Sequence, residues 1–193
     1  MASLSSSLLK MNIGKLKPVK LAALELAESK LYSARESFIL DFENHEVTKE
    51  IEAGELSGNL SGTLAGYGNL FSFIGFNSGS NPTEAVKKLI KKIRLINSSY
   101  KKNKSDGSLL SFNVSIPSVS EFEKATPMPW ASGRSWLIGI ERGISGLGFF
   151  VFKKGFGRSE GGIESQNKIR QNKYTPVSYF TRMYNNFIKK IKI

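Results

Sequence analysis

The stretch from Pro127 to Gly157, PMPWASGRSWLIGIERGISGLGFFVFKKGFG, constrains the fold most: it holds both tryptophans and six glycines between Gly139 and Gly157. SWLIGIER and GLGFFVFKK read as two strands, 135–142 and 147–154, joined by the turn Gly143-Ile-Ser-Gly146. Such a hairpin sets Trp136 on one arm against Phe149, Phe150 and Phe152 on the other, and nucleates a small sheet. Trp136, Phe149 and Phe150 are the expected hairpin core. Nothing in the stretch has the look of a catalytic constellation, so the chain is expected to work through shape and surface.

What the chain lacks narrows the chemistry further. It has no cysteine and one histidine, His45. That removes disulfide scaffolds, thiolate zinc, iron–sulfur ligation by cysteine and cysteine nucleophiles, and nearly closes Ser-His-Asp chemistry. Asp41, Glu43 and His45 are the least implausible metal ligands, but they lack the HExxH or DxDxDG spacing that makes such a site specific. No GxxxxGK[ST] and no strand-GxGxxG-helix is present, so no nucleotide cradle, cofactor or metal is expected. No apolar run reaches the roughly 18 residues of a membrane span, and no membrane partner is expected.

Charge is unevenly placed. Residues 1–84 carry 7 Lys/Arg against 10 Asp/Glu, a net of −3, while residues 85–193 carry 21 against 6, a net of +15; together these give +12. An acidic front and a basic back suit two surfaces, one for a basic partner and one for a polyanion. Solubility and head-to-tail packing of identical subunits suit them equally.

In chain order, residues 1–17 read as a loose N-terminal arm. From Pro18, Leu21, Leu24, Leu31, Ala34, Phe38 and Phe42 recur at helical spacing and predict a long amphipathic helix. Val47–Ile51 fits a short strand or a helical turn, and the glycines that follow (54, 58, 62, 66, 68) forbid a long helix. The apolar run 70–76 is expected to be a buried strand. Asn81-Pro82-Thr83-Glu84 opens a helix over 84–96, with Val86, Leu89, Ile90, Ile93 and Ile96 on one face and Lys87, Lys88, Lys91, Lys92 and Arg94 on the other. Those lysines are candidate polyanion contacts, or simply a solvated face. Residues 109–116 alternate as a half-buried strand, and 119–124 suits one helical turn. Arg134 and Arg158, in SGRS and GRS, flank the hairpin as forks for phosphate or for a neighbour's carboxylates. Residues 178–191 form a closing helix with Phe180, Met183, Tyr184, Phe187 and Ile191 on one side.

The expectation is an α+β chain: a long N-terminal helix and two further helices on an antiparallel or mixed sheet of about four strands. Its core domain would span 18–158, and a basic segment, 159–193, would end in an amphipathic helix.

Three stretches, FENHEVTKEIEAG, SGTLAGYGNLFSFIGF and PWASGRSWLIGIERGISGLGFFVFK, resemble virion structural proteins of tailed bacteriophages, of the neck or tail-completion type. The resemblance covers roughly residues 20–155. It implies a long helix on a small sheet, a ring of identical subunits between the portal-connector and the tail-tube proteins, and a place in the virion at the head–tail junction after assembly in host cytoplasm. It implies no catalysis. Surplus lysines would then face DNA passing through the lumen, without sequence preference. A basic nucleic-acid-binding accessory protein is the alternative.

Overall fold

The computed structural model describes residues 16–64, 68–103, 107–143 and 177–191. Among them, helices and two small antiparallel sheets alternate. Helix α1 is Lys17–Asn44, α2 Glu46–Glu52, α3 Leu70–Ile74 and α4 Glu84–Lys91. A hairpin of β1, Arg94–Asn103, and β2, Gly107–Ser115, follows. Then come α5, Val119–Ala125, a second hairpin of β3, Pro127–Met128, and β4, Ala131–Ser135, and two helices, α6, Trp136–Arg142, and α7, Phe180–Ile191. Mixed helix and sheet is therefore the fold class, with a long N-terminal helix.

The expected sheet differs in its parts. Strand 109–116 forms, as β2. The 70–76 run is instead helical, because both of its ends are capped. Asn69 Oδ1 accepts from the Ser72 amide at 2.9 Å. Gly75 at φ 82 closes the last turn, with the Gly75 and Phe76 amides both bonded to the Phe71 carbonyl at 3.2 Å. The 135–142 run is helical for the same reason. Ser135 Oγ accepts from the Ile138 amide at 3.3 Å, and Gly143 at φ 94 ends the turn. Residues 147–154, with Phe149 and Phe150, lie outside the described residues, as do 1–15 of the expected arm.

A third correction falls on the basic helix, which stops at Lys91 rather than running to residue 96. Arg94 onward pairs with β2, Arg94 opposite Ser115 and Leu95 opposite Val114. Cross-strand pairing outweighs the continued helical spacing. A register shift between Leu95 and Asn97 leaves Ile96 as the extra residue, 57% exposed.

The core is built almost wholly by helices, with the sheets at its rim. Phe38 stacks on Phe187 at 5.2 Å and tilts against Phe180 at 5.9 Å; Phe122 meets Phe180 at 4.5 Å; Phe42 stacks on Tyr179 at 5.8 Å. Trp136 lies in the same cluster, edge-on to Phe76 at 5.7 Å. Among the described residues of the sheets, Met128 alone is in the cluster's buried set, while Leu95 and Val114, with Ile116 just after β2, pack partly buried against it. Within α1 the buried residues are Leu31, Ala34, Phe38, Ile39 and Phe42. None lies between Lys17 and Lys30.

Candidate functional site

The lysines of α4 divide into two kinds. Lys87 Nζ sits 2.8 Å from Glu52 Oε1 and 3.1 Å from Glu43 Oε1, and Thr83 Oγ1 donates to the same Glu52 oxygen at 2.6 Å. Burial, the largest single influence on the Lys87 ammonium, pulls its pKa down; the hydrogen-bonded carboxylates of Glu52 and Glu43 more than offset this and raise it. Lys87 is thus a bolt joining α4 to α2 and the end of α1. Lys88, Lys91 and Lys92 are exposed. They form a cationic end to α4, where positive charge also complements the helix dipole.

Arg134 stands exposed on β4, directly after Gly133 at φ 73. Two residues on, Trp136 is buried, and its amide donates to the Thr126 carbonyl at 2.9 Å. Ser135 and Thr126 share a hydroxyl contact at 2.7 Å that ties β4 to α5. Trp136, expected on a hairpin arm, is buried from a helix instead, and Arg134 lies exposed beside it. Arg158 lies outside the described residues.

Asp41, Glu43 and His45 face different partners. Asp41 faces Lys190 at 3.8 Å and Glu43 faces Lys87. His45 Nδ1 accepts from the Val47 amide at 3.2 Å, capping α2, with its ring 4.8 Å from that of Tyr179. Burial lowers the His45 pKa; Glu46 and a bond to the Ser178 backbone work the other way, and Arg182 adds to the lowering. Among the described residues no group of three or more His, Cys, Asp or Glu is placed to hold a metal ion.

Two further carboxylates, Glu50 of the acidic segment and Glu141, fasten chain segments instead. Glu50 is fully buried, and accepts the Ser61 and Leu70 amides at 2.7 Å each. It thereby closes the glycine-rich loop over α2. Glu141 accepts the Tyr179 amide at 3.2 Å, the Thr181 amide at 2.6 Å and the Thr181 hydroxyl, so α6 caps α7. Thr48 and the buried Tyr179 hydroxyl meet at 2.6 Å, and burial pushes that phenol far above its ordinary range.

Beside Glu141 runs an open groove of about 700 Å³ whose cations are Arg142, Arg182 and Lys189, with Asn185 and Asn186 between them. Its signal was present in the sequence, since 182, 185, 186 and 189 recur at helical spacing opposite the aromatic face of α7.

Comparison with protein-family profiles, curated protein sequences and solved structures finds no match to this chain. Among the described residues no helix is long and apolar enough to cross a membrane.

Proposed function

We propose that this chain is a non-enzymatic structural component of a tailed-phage particle: a ring-forming neck or tail-completion subunit that joins the portal-connector to the tail. The observation that carries the reading, beside the resemblance of its three stretches, is how its carboxylates are used. Glu50 closes a loop, Glu141 caps a helix, and Glu43, Glu52 and Asp41 bind Lys87 and Lys190. Each joins one element of the subunit to another, as suits a part that acts through its surface. The acidic front and basic back are therefore matched in part inside the subunit. Lys88, Lys91 and Lys92 at the end of α4, and Arg134 on β4, are among the exposed cations that would face a lumen or a neighbour.

Reconstruction of purified particles is the test, with several copies expected in a ring at the head–tail junction. A chain that stays monomeric and is absent from particles ends the reading. The three exposed lysines also favour a second reading, a nucleic-acid-binding accessory protein. It requires salt-dependent binding to duplex DNA that weakens when Lys88, Lys91 and Lys92 are changed together to Gln. No binding at low salt removes it.

A further inference from the structure

We propose that the open groove between the end of α6 and the outer face of α7 binds the phosphate backbone of duplex DNA. Arg142, Arg182 and Lys189 pair with phosphate oxygens there, and the Asn185 and Asn186 side-chain amides donate to them.

The groove is built on a helix whose other side is fixed. Phe180, Met183 and Phe187 of α7 are buried in the core, which leaves Arg182, Asn185, Asn186 and Lys189 exposed. At about 100° of turn per residue these four fall within about 100° of arc, a single stripe opposite the aromatic face. From Arg182 to Lys189 the stripe runs about 10.5 Å along the axis, at about 1.5 Å per residue. It is long enough to meet more than one phosphate of a strand. Arg142, at the end of α6, adds a cation from a second element.

Within the described fold these cations are not neutralised. Among the described residues no carboxylate pairs with Arg142, Arg182 or Lys189, whereas Lys87 and Lys190 do meet carboxylates. The acid that lines the groove, Glu141, is turned elsewhere: Oε1 accepts the Tyr179 and Thr181 amides, and Oε2 the Thr181 hydroxyl. Because Glu141 occupies amides at the start of α7, the anion site consists of side chains and not of the helix end. The charge of Arg182 reaches as far as His45, whose pKa it helps to lower.

The lining chemistry selects the occupant. Arginine, lysine and asparagine are side chains that hold the phosphate oxygens of DNA, and a guanidinium fork offers them two aligned donors. Among the described residues no aromatic side chain lines the groove. Bases of a single strand would find no ring to stack on, whereas a duplex keeps its bases stacked on one another and offers phosphates alone. A second copy of the chain is the weaker candidate, because two molecules of net charge +12 repel. Phosphate contacts carry no sequence information, so binding is expected without sequence preference. The proposal rests on neither reading above: none of Lys88, Lys91 and Lys92 lines the groove, and a ring subunit and a free accessory protein could both use it.

Fluorescence anisotropy of a short mixed-sequence duplex DNA, titrated with the full chain at several salt concentrations, tests it. One variant carries Arg142→Gln, Arg182→Gln and Lys189→Gln. All three sites are exposed, and an unfolding midpoint close to the parent's establishes that the fold is kept. At low salt it should bind at least about tenfold more weakly than the parent, and its slope of log affinity against log salt should flatten by about 0.9 for each cation lost. A control that removes the same charge at Lys17, Lys20 and Lys30, none of which lines the groove, should lose far less. Changing Lys88, Lys91 and Lys92 to Gln separates the two sites: loss there with the groove variant unchanged supports the accessory reading and overturns this one. No duplex binding by the parent at low salt, an equal loss in the control, or tighter binding of single strand than of duplex would each overturn it as well. So would a groove variant whose only defect is weaker self-association without DNA, because the groove would then hold a neighbour's carboxylates.

Discussion

The two halves of α1 are one continuous helix with opposite fates. Between Leu31 and Phe42 it buries Leu31, Ala34, Phe38, Ile39 and Phe42 in a core shared with α5 and α7, while no residue from Lys17 to Lys30 is buried and Leu21 and Leu26 are exposed. Helix propensity is alike in the two halves, so propensity did not decide which was covered. The difference lies in what the chain brings back: Phe180 and Phe187 of α7 close on Phe38, and Lys190 reaches Ser37 Oγ at 2.6 Å. No described element does the same for Leu21 or Leu26. The lesson is that an amphipathic pattern records what a helix can bury, and the rest of the chain decides where it does so.

The sharpest way to break that comparison is to truncate one residue in each half. Phe38→Ala should cost about 3–5 kcal/mol of stability, as for a buried phenylalanine, and Leu26→Ala no more than about 0.5 kcal/mol, both read from urea unfolding midpoints. Equal costs would mean that the first half is packed in the isolated subunit after all. Next in size is the roof over the covered half. Glu50→Ala leaves two backbone amides without their acceptor and should cost about 2–3 kcal/mol, with amide exchange speeding up at Ser61 and Leu70. Lys87→Gln should cost about 0.5–1 kcal/mol by unbolting α4 from Glu43 and Glu52, while Lys88→Gln should cost almost nothing; matched losses would erase the distinction between bolt and surface.

The smallest effect sits where α1 ends. His45 must be neutral at Nδ1 to accept the Val47 amide, and its pKa is lowered in the folded chain by burial. The unfolded chain therefore takes up the proton first as pH falls below about 6.5, and folding stability declines from there down through the folded pKa. His45→Asn keeps a capping acceptor but has no such titration. The stability gap between parent and variant should shift in the variant's favour between pH 7.5 and pH 5. A pH-independent gap would show that the ring is not held neutral.

Much of this was legible in advance, and the misses share a cause. The span of α1, the β2 alternation and the α7 face were all carried by periodicity longer than two turns or five residues. The runs at 70–76 and 136–142 were too short for periodicity to separate a strand from a helix. What separated them was punctuation: Asn69 and Ser135 before each run, Gly75 and Gly143 after it. Those caps were visible as letters, and reading the runs as caps plus apolar turns would have found the helices. The early end of α4 had no comparable local sign, since the pairing of Arg94–Asn103 with β2 depends on a strand that comes later in the chain. At the candidate site, Lys88, Lys91, Lys92 and Arg134 lie on the surface, while Lys87 was captured by carboxylates 44 and 35 residues upstream. No spacing rule on α4 alone could have shown that.

The β3–β4 hairpin has a use at the bench. The chain's two tryptophans stand six residues apart in unlike surroundings. Trp136 is sealed among apolar side chains, whereas Trp130 is half-buried and donates its indole N–H to the Ile74 carbonyl at 2.8 Å. Iodide should quench the second and spare the first, and their emission maxima should separate, the Trp136 band to the blue. With Trp130→Phe or Trp136→Phe each ring becomes a single-colour gauge, one for the seam between α3 and the hairpin and one for the core. Any event that loosens the rim before the centre can then be timed by light alone.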